Sequence, residues 1–186
     1  MAAHLRDRLR AAFRWTETGP GDDYLVSDRS GWWRDPLILS DLGDGLADLF
    51  RDARPTVVVA PEVTGFLIGP LVARALGAGF VEAYRAGARR AIAEPMTWAE
   101  VVDHRGEVQH LGVRHQLLDP ADRVLVVDDW AATGAQIRSL RGLLGARYLG
   151  AAVIVDECPP GVAAELTIRG LLTGPDLDPS GPPGTA

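Results

Sequence analysis

The stretch Val124-Leu125-Val126-Val127-Asp128-Asp129-Trp130-Ala131-Ala132-Thr133-Gly134-Ala135-Gln136 decides how this chain is read. Its opening apolar run is rich in β-branched residues, the pattern of a strand buried on both faces of a parallel sheet, expected here over 123–127. Two carboxylates end that run abruptly. A turn of small residues follows, and apolar periodicity then predicts a helix over 134–144.

Adjacent carboxylates at a strand tip repel each other unless a cation or hydrogen-bond donors lie between them. A vicinal diol is such a partner, because each carboxylate accepts from a hydroxyl. A Mg²⁺ ion carried on that diol also suits oxygen ligands. A capping role explains one acid but not two in succession. The Ala-Thr-Gly-Ala turn lets the backbone approach an anion closely, with N–H groups at a helix start pointing at it and the Thr133 hydroxyl as a further donor. Diol at one end and phosphate at the other describe a ribose 5-phosphate. No Gly-Lys-Ser/Thr follows the turn, so this is not a P-loop, and no Gly-x-Gly-x-x-Gly occurs.

Working outward, a mostly parallel α/β sheet flanked by helices is expected. Helices are predicted over 3–15, from Ser40-Asp41 onward, over 65–76 with Gly77 as C-cap, and over 134–144. Strands are predicted over 56–60, 79–85, 123–127, 147–156 and 166–172. A hairpin is predicted over 97–103 and 107–113 around His104-Arg105-Gly106. Thr18-Gly-Pro-Gly-Asp-Asp23 reads as turns and Pro159-Pro160-Gly161 as a break. Residues 1–172 are expected to form one domain, with a disordered Pro/Gly-rich tail at 173–186. In such sheets ligands sit beyond the carboxyl ends of strands at a switch point. Loops 61–65 and 128–136 are the candidates.

Composition narrows the function classes. The 186 residues are 47% hydrophobic and 24% charged, which is globular rather than disordered. All 19 basic residues are arginine against 25 acids, a net charge of −6 with no long basic run, which argues against a nucleic-acid partner. No run approaches the roughly 18 apolar residues of a membrane span, and the N-terminus lacks a signal-peptide core. A single Cys158 is expected to be a buried, inert thiol in a reducing, cytoplasmic compartment. No His/Cys/Asp grouping has zinc spacing.

Four apolar residues, Asp-Asp, three residues, then Thr-Gly resemble the phosphoribosyl-pyrophosphate signature of the type I phosphoribosyltransferases. Upstream, Val57-Val-Val-Ala-Pro-Glu62-Val63-Thr64-Gly65-Phe66-Leu-Ile-Gly69 is similar to the pyrophosphate loop of the adenine-type branch. Ala73-Arg-Ala-Leu-Gly77-Ala-Gly-Phe80-Val81 and Gly31-Trp32-Trp33-Arg34-Asp35-Pro36 continue in its style, so the resemblance spans about residues 31–172. It implies that Asp128 and Asp129 hold the ribose hydroxyls and that Ala132, Thr133, Gly134, Ala135 and Gln136 cradle the 5′-phosphate. It further implies that Glu62, Val63, Thr64 and Gly65 face the pyrophosphate with Arg85 as a nearby cation. A hood over about 1–36 and a flexible lid over about 86–116 would close on the sugar. Phosphoribosyl pyrophosphate, Mg²⁺ held mainly by that substrate near Asp128 or Asp129, a small acceptor and a homodimer are the implied partners.

The chain departs from that pattern at Thr64, where the branch carries arginine, and at Ala135 and Gln136, where it carries glycine and threonine. A neutral hydroxyl cannot offset phosphate charge, so Arg85, Arg89 or Arg90 must substitute if pyrophosphate is bound. Ala132 stands where relatives acting on 6-oxopurines carry an acid, which by the resemblance agrees with the adenine or orotate branches, and the Glu62 region favours the adenine-like one. Two alternatives stand beside catalysis: a non-catalytic phosphoribosyl-pyrophosphate or nucleotide sensor, and a specialised-metabolism transferase with a non-nucleobase acceptor. Trp130 either stacks on a bound base or packs against the sheet, packing being favoured. Of Trp32 and Trp33, one is expected in the core and the other over the base. Trp98 begins the lid hairpin, and His104, His110, His115, Glu94 and Glu100 are open candidates for a lid contact.

Overall fold

The computed structural model describes residues 2–17, 25–87, 96–102 and 108–178. Helix α1 (Ala2–Ala12) leads into a small antiparallel pair, β1 (Arg14–Glu17) and β2 (Leu25–Asp28), and then helices α2 (Ser30–Arg34) and α3 (Pro36–Asp48). The core follows as β3 (Val57–Pro61), α4 (Gly65–Leu76), β4 (Gly79–Arg85), β5 (Thr97–Val102) and β6 (Val108–Val113). It ends with β7 (Val124–Ala131), α5 (Ala135–Leu144), β8 (Tyr148–Asp156), α6 (Pro160–Glu165) and β9 (Ile168–Thr173).

Seven strands form the main sheet in the order β5-β6-β4-β3-β7-β8-β9. The pairs from β4 through β3, β7 and β8 to β9 are parallel, and the β5–β6 hairpin joins β4 antiparallel at one edge. The expected α/β architecture is therefore present. Alternation along each strand divides the core in two. Val58, Ala60, Leu125 and Val127 face α1, α3 and α4, whereas Val57, Val59, Val124 and Val126 face α5. Nothing polar interrupts either layer until Asp128 and Asp129, the buried acids at the end of β7.

Four expectations are corrected. The first helix ends at Ala12, and Trp15 belongs to β1, because residues 25–28 supply a strand partner that local periodicity does not reveal. The second helix starts at Pro36 rather than Ser40. Asp35 accepts from the Leu37 N–H at 2.8 Å, and Pro36 sits in the first turn, where a missing N–H costs nothing. For the same reason Pro160 opens α6 instead of breaking the chain. Residues 174–177 form a 3₁₀ turn with a Thr173–Asp176 capping box rather than the start of a disordered tail. Residues 18–24, 103–107 and 179–186 lie outside the described residues, and with them the expected turns and the rest of the tail.

Candidate active site

The chain leaves β3 for β4 on one side and returns to β7 on the other, so the switch point lies between β3 and β7. Crevices at such points open beyond the carboxyl ends of the strands. A small cleft opens there, with Asp128, Trp130, the turn 132–136 and Arg85 among its walls, joined by Val101 and Gln109 of the hairpin.

Strand β7 runs four residues further than expected because β8 keeps pairing with it, Asp128 opposite Val153 and Ala131 opposite Asp156. Both acids are thus held in a strand rather than a loop, and their side chains part. Asp128 enters the cleft. Asp129 turns to the other side, where Arg29, between β2 and α2, pairs with it. Burial, and next the charge of Asp129, push the Asp128 carboxyl well above the ordinary carboxylate range. The Asp129 backbone N–H, donating to Asp128 Oδ1 at 2.9 Å, and the charge of Arg85 oppose that rise. A group that replaces the missing solvation at Asp128, such as a hydroxyl pair or a cation, is what this environment favours.

The turn after β7 is built on a glycine and leads into a helix. Gly134 adopts φ +72°, open to glycine at little cost, and a Cβ there would lie 2.8 Å from Val162 and 2.9 Å from Leu166. That residue precedes α5, so the turn sits on the N-terminal end of a helix. The Thr133 hydroxyl accepts from the Ala135 N–H at 3.3 Å.

Glu62, Val63, Thr64 and Gly65 sit at the end of β3, outside the walls of the cleft, with a cis peptide between Glu62 and Val63. They connect to it through Arg85. The Arg85 backbone N–H donates to Glu62 Oε2 at 3.0 Å and its Nε to the Glu62 carbonyl at 3.1 Å. Its two terminal nitrogens donate to Gln109 Oε1 and, at 3.3 Å, to Gln136 Oε1.

Trp130 takes the favoured packing role and also borders the cleft. Its indole lines the cleft and also packs 5.9 Å from Phe13 and 6.3 Å from Trp15, with Nε1 donating to Glu157 at 2.9 Å. Trp32 is fully buried, its Nε1 donating to the Leu9 carbonyl at 2.8 Å, and half-buried Trp33 stands edge-on to it. Glu100 lies opposite His110 on the hairpin, His115 lies beside Arg147, and none of the three lines the cleft. Trp98 covers Gly112 of the adjacent strand. Glu94, His104, Arg89 and Arg90 lie outside the described residues. Arg29 and Gln109 escaped the sequence reading, because only tertiary pairing marks them.

An adenine phosphoribosyltransferase of Synechococcus sp. (strain RCC307) is 31% identical over 170 residues, covering 91% of this chain and 90% of its own length. The chain belongs to the type I phosphoribosyltransferase family. A xanthine phosphoribosyltransferase of Lactobacillus delbrueckii subsp. bulgaricus (strain ATCC BAA-365 / Lb-18) is 32% identical over 142 residues, 74% of this chain and 75% of that one. Among solved structures, the adenine phosphoribosyltransferase of Thermoanaerobacter pseudethanolicus superposes with a TM-score of 0.78 at 20% identity, covering 90% of this chain and 99% of that chain. The Saccharomyces cerevisiae enzyme, complexed with an imino-altritol bisphosphate and adenine, gives 0.75 at 23% identity, covering 91% and 99%. No protein-family model matches the chain. The phosphoribosyltransferase is adenine-type in its overall likeness. Xanthine-type relatives match at similar identity.

Proposed function

We propose that this phosphoribosyltransferase transfers the 5-phosphoribosyl group of phosphoribosyl pyrophosphate, with Mg²⁺, to a purine-type nucleobase, releasing pyrophosphate. The observation that carries the reading is the cleft at the β3/β7 switch point, which the buried Asp128 shares with a glycine-containing turn at the start of a helix. In this reading Asp128 and Asp129 receive the ribose diol, and 132–136 receives the 5′-phosphate. Residues 62–65 and Arg85 face the pyrophosphate. The names of the relatives favour a catalytic nucleobase enzyme over the sensor and the non-nucleobase alternatives.

A nitrogen of the base attacks the anomeric carbon as the carbon–oxygen bond to pyrophosphate breaks, the electron pair leaving with pyrophosphate and the nitrogen shedding its proton. Positioning the two reactants in one cleft removes much of the entropic barrier. Among the described residues no three His, Cys, Asp or Glu side chains group to hold a metal. The oxygens Mg²⁺ needs would come chiefly from the donor itself, as the resemblance implies, with Asp128 and Asp129 as the protein's oxygen donors at hand. When bound, the ion neutralises the leaving pyrophosphate. The resemblance also implies a homodimer, which sedimentation at micromolar concentration would detect. Among the described residues no helix is long and apolar enough to cross a membrane.

Turnover with the donor, Mg²⁺ and a panel containing adenine, xanthine, hypoxanthine and guanine tests the proposal. Pyrophosphate release with at least one base is expected, lost in the Asp128→Asn/Asp129→Asn double variant. Donor binding without release across the panel would instead establish the sensor, and unchanged donor affinity in the double variant would remove the acid pair from the site.

A further inference from the structure

We propose that Gln136 is a positioning residue, holding the Arg85 guanidinium, together with Gln109, as the cation that faces the donor's pyrophosphate. The proposal rests on the phosphoribosyl-transfer reading above and assigns to Gln136 a task beyond the 5′-phosphate cradle.

The loop after β3 supplies no positive charge of its own. Its residues are Pro61, Glu62, Val63, Thr64 and Gly65, and the one ionisable side chain among them is an acid. Thr64 makes no capping hydrogen bond to α4 and offers one neutral hydroxyl. A pyrophosphate bound against this loop needs a cation from elsewhere, and Arg85 is the arginine whose Nε already donates to the Glu62 carbonyl at the loop's base, at 3.1 Å.

A long arginine is useful there only if its head group is held. Its backbone N–H reaches Glu62 Oε2 at 3.0 Å, one terminal nitrogen reaches Gln109 Oε1 on β6, and the other reaches Gln136 Oε1 at 3.3 Å at the start of α5. The guanidinium is thereby tied to three separate segments, two of which line the cleft. Its N–H groups only donate, so in both glutamines the amide oxygen must be the atom that faces it. The Gln136 amide NH₂ is then left on the opposite side of the same planar group as a donor. One side chain can in this way answer both an anion in the turn and Arg85. A threonine hydroxyl sits directly on Cβ, two bonds short of the glutamine oxygen, and lacks this reach. With Thr64 neutral, the cation that answers the pyrophosphate is the one on β4, and the Gln136 amide fixes it there.

Calorimetric titration of phosphoribosyl pyrophosphate, pyrophosphate and ribose 5-phosphate, each with Mg²⁺, into the full chain tests this. The set comprises wild type, Gln136→Met, Arg85→Ala and the double variant. Methionine keeps length and helix propensity but removes the acceptor. Gln136→Met is expected to weaken pyrophosphate about tenfold, the scale of one hydrogen bond to a charged group, and ribose 5-phosphate less. In the Arg85→Ala background the same change should alter pyrophosphate affinity by less than about twofold, since its target is gone. Thr64→Arg should restore pyrophosphate affinity to Gln136→Met. Gln109→Met gives the same cycle from the other amide if the Gln136 variant folds poorly. Equal losses in the presence and absence of Arg85, or a larger loss for ribose 5-phosphate than for pyrophosphate, overturn the positioning role. Wild type that fails to bind phosphoribosyl pyrophosphate at all would overturn the functional reading itself, a different result from wild type that binds it and shows no coupling.

Discussion

Replacing Arg29 by glutamine tests how the acid pair is tolerated inside the fold. The Asp129 side chain is 8% exposed and Arg29 33%, so the pair is buried on one side and open on the other. Removing one partner of a fully buried pair costs about 3–5 kcal/mol, and an exposed pair contributes about 0–1. Arg29→Gln is expected between these limits, near 2–3 kcal/mol, because Asp129 stays buried beside Asp128 while the arginine has already kept part of its hydration. In a domain of this length each kcal/mol moves Tm by roughly 2–4 °C, giving a fall of about 4–12 °C. Urea unfolding of wild type, Arg29→Gln, Asp129→Asn and the double variant at pH 7.5 gives the coupling directly. With Asp129 neutralised, Arg29→Gln should cost less than about 1 kcal/mol. A coupling below about 0.5 kcal/mol would refute the reasoning and class the contact with ordinary surface pairs.

Three further outcomes follow from the same geometry. Because the Asp128 carboxyl titrates above its unfolded value, the folded state binds the extra proton, and stability is lost as pH rises through the raised folded value. Asp128→Asn should therefore be more stable than wild type at pH 8, with the advantage fading as pH falls; urea midpoints across pH 4–8 that stay parallel would contradict this. Gly134→Ala forces a Cβ into Val162 and Leu166 at positive φ, so a loss of about 1–3 kcal/mol and weaker ribose 5-phosphate binding are expected, measured by calorimetry. Cys158, whose thiol burial and Asp156 push up to about 11, should react with a thiol-directed disulfide reagent at pH 8 roughly a hundredfold more slowly than a free cysteine; near-normal rates would show an activated thiol.

The sheet and its ligand loops were legible because their signals are local. Residues 65–76 and 79–85 form the expected helix and strand to the residue, since apolar periodicity, a C-capping glycine and β-branched runs act within one element. The residues at the N-terminal end were less legible, because β1 exists only through β2 and α3 begins at a side-chain cap. Trp130 shows the same limit inside the site: its place between the cleft and Phe13 depends on where α1 docks, which no spacing within 124–136 encodes.

By itself the order of residues determined that a buried apolar run leads into two carboxylates and then a small-residue turn that starts a helix, and so which family the chain resembles. The tertiary structure decided how those carboxylates are used. It sends Asp128 into the cleft with Arg85 and Asp129 to Arg29, and it joins Gln109 and Gln136 on one guanidinium. Backbone propensity and periodicity act over a few residues, whereas charge compensation in a low-dielectric interior depends on whichever cation the packed fold brings within reach.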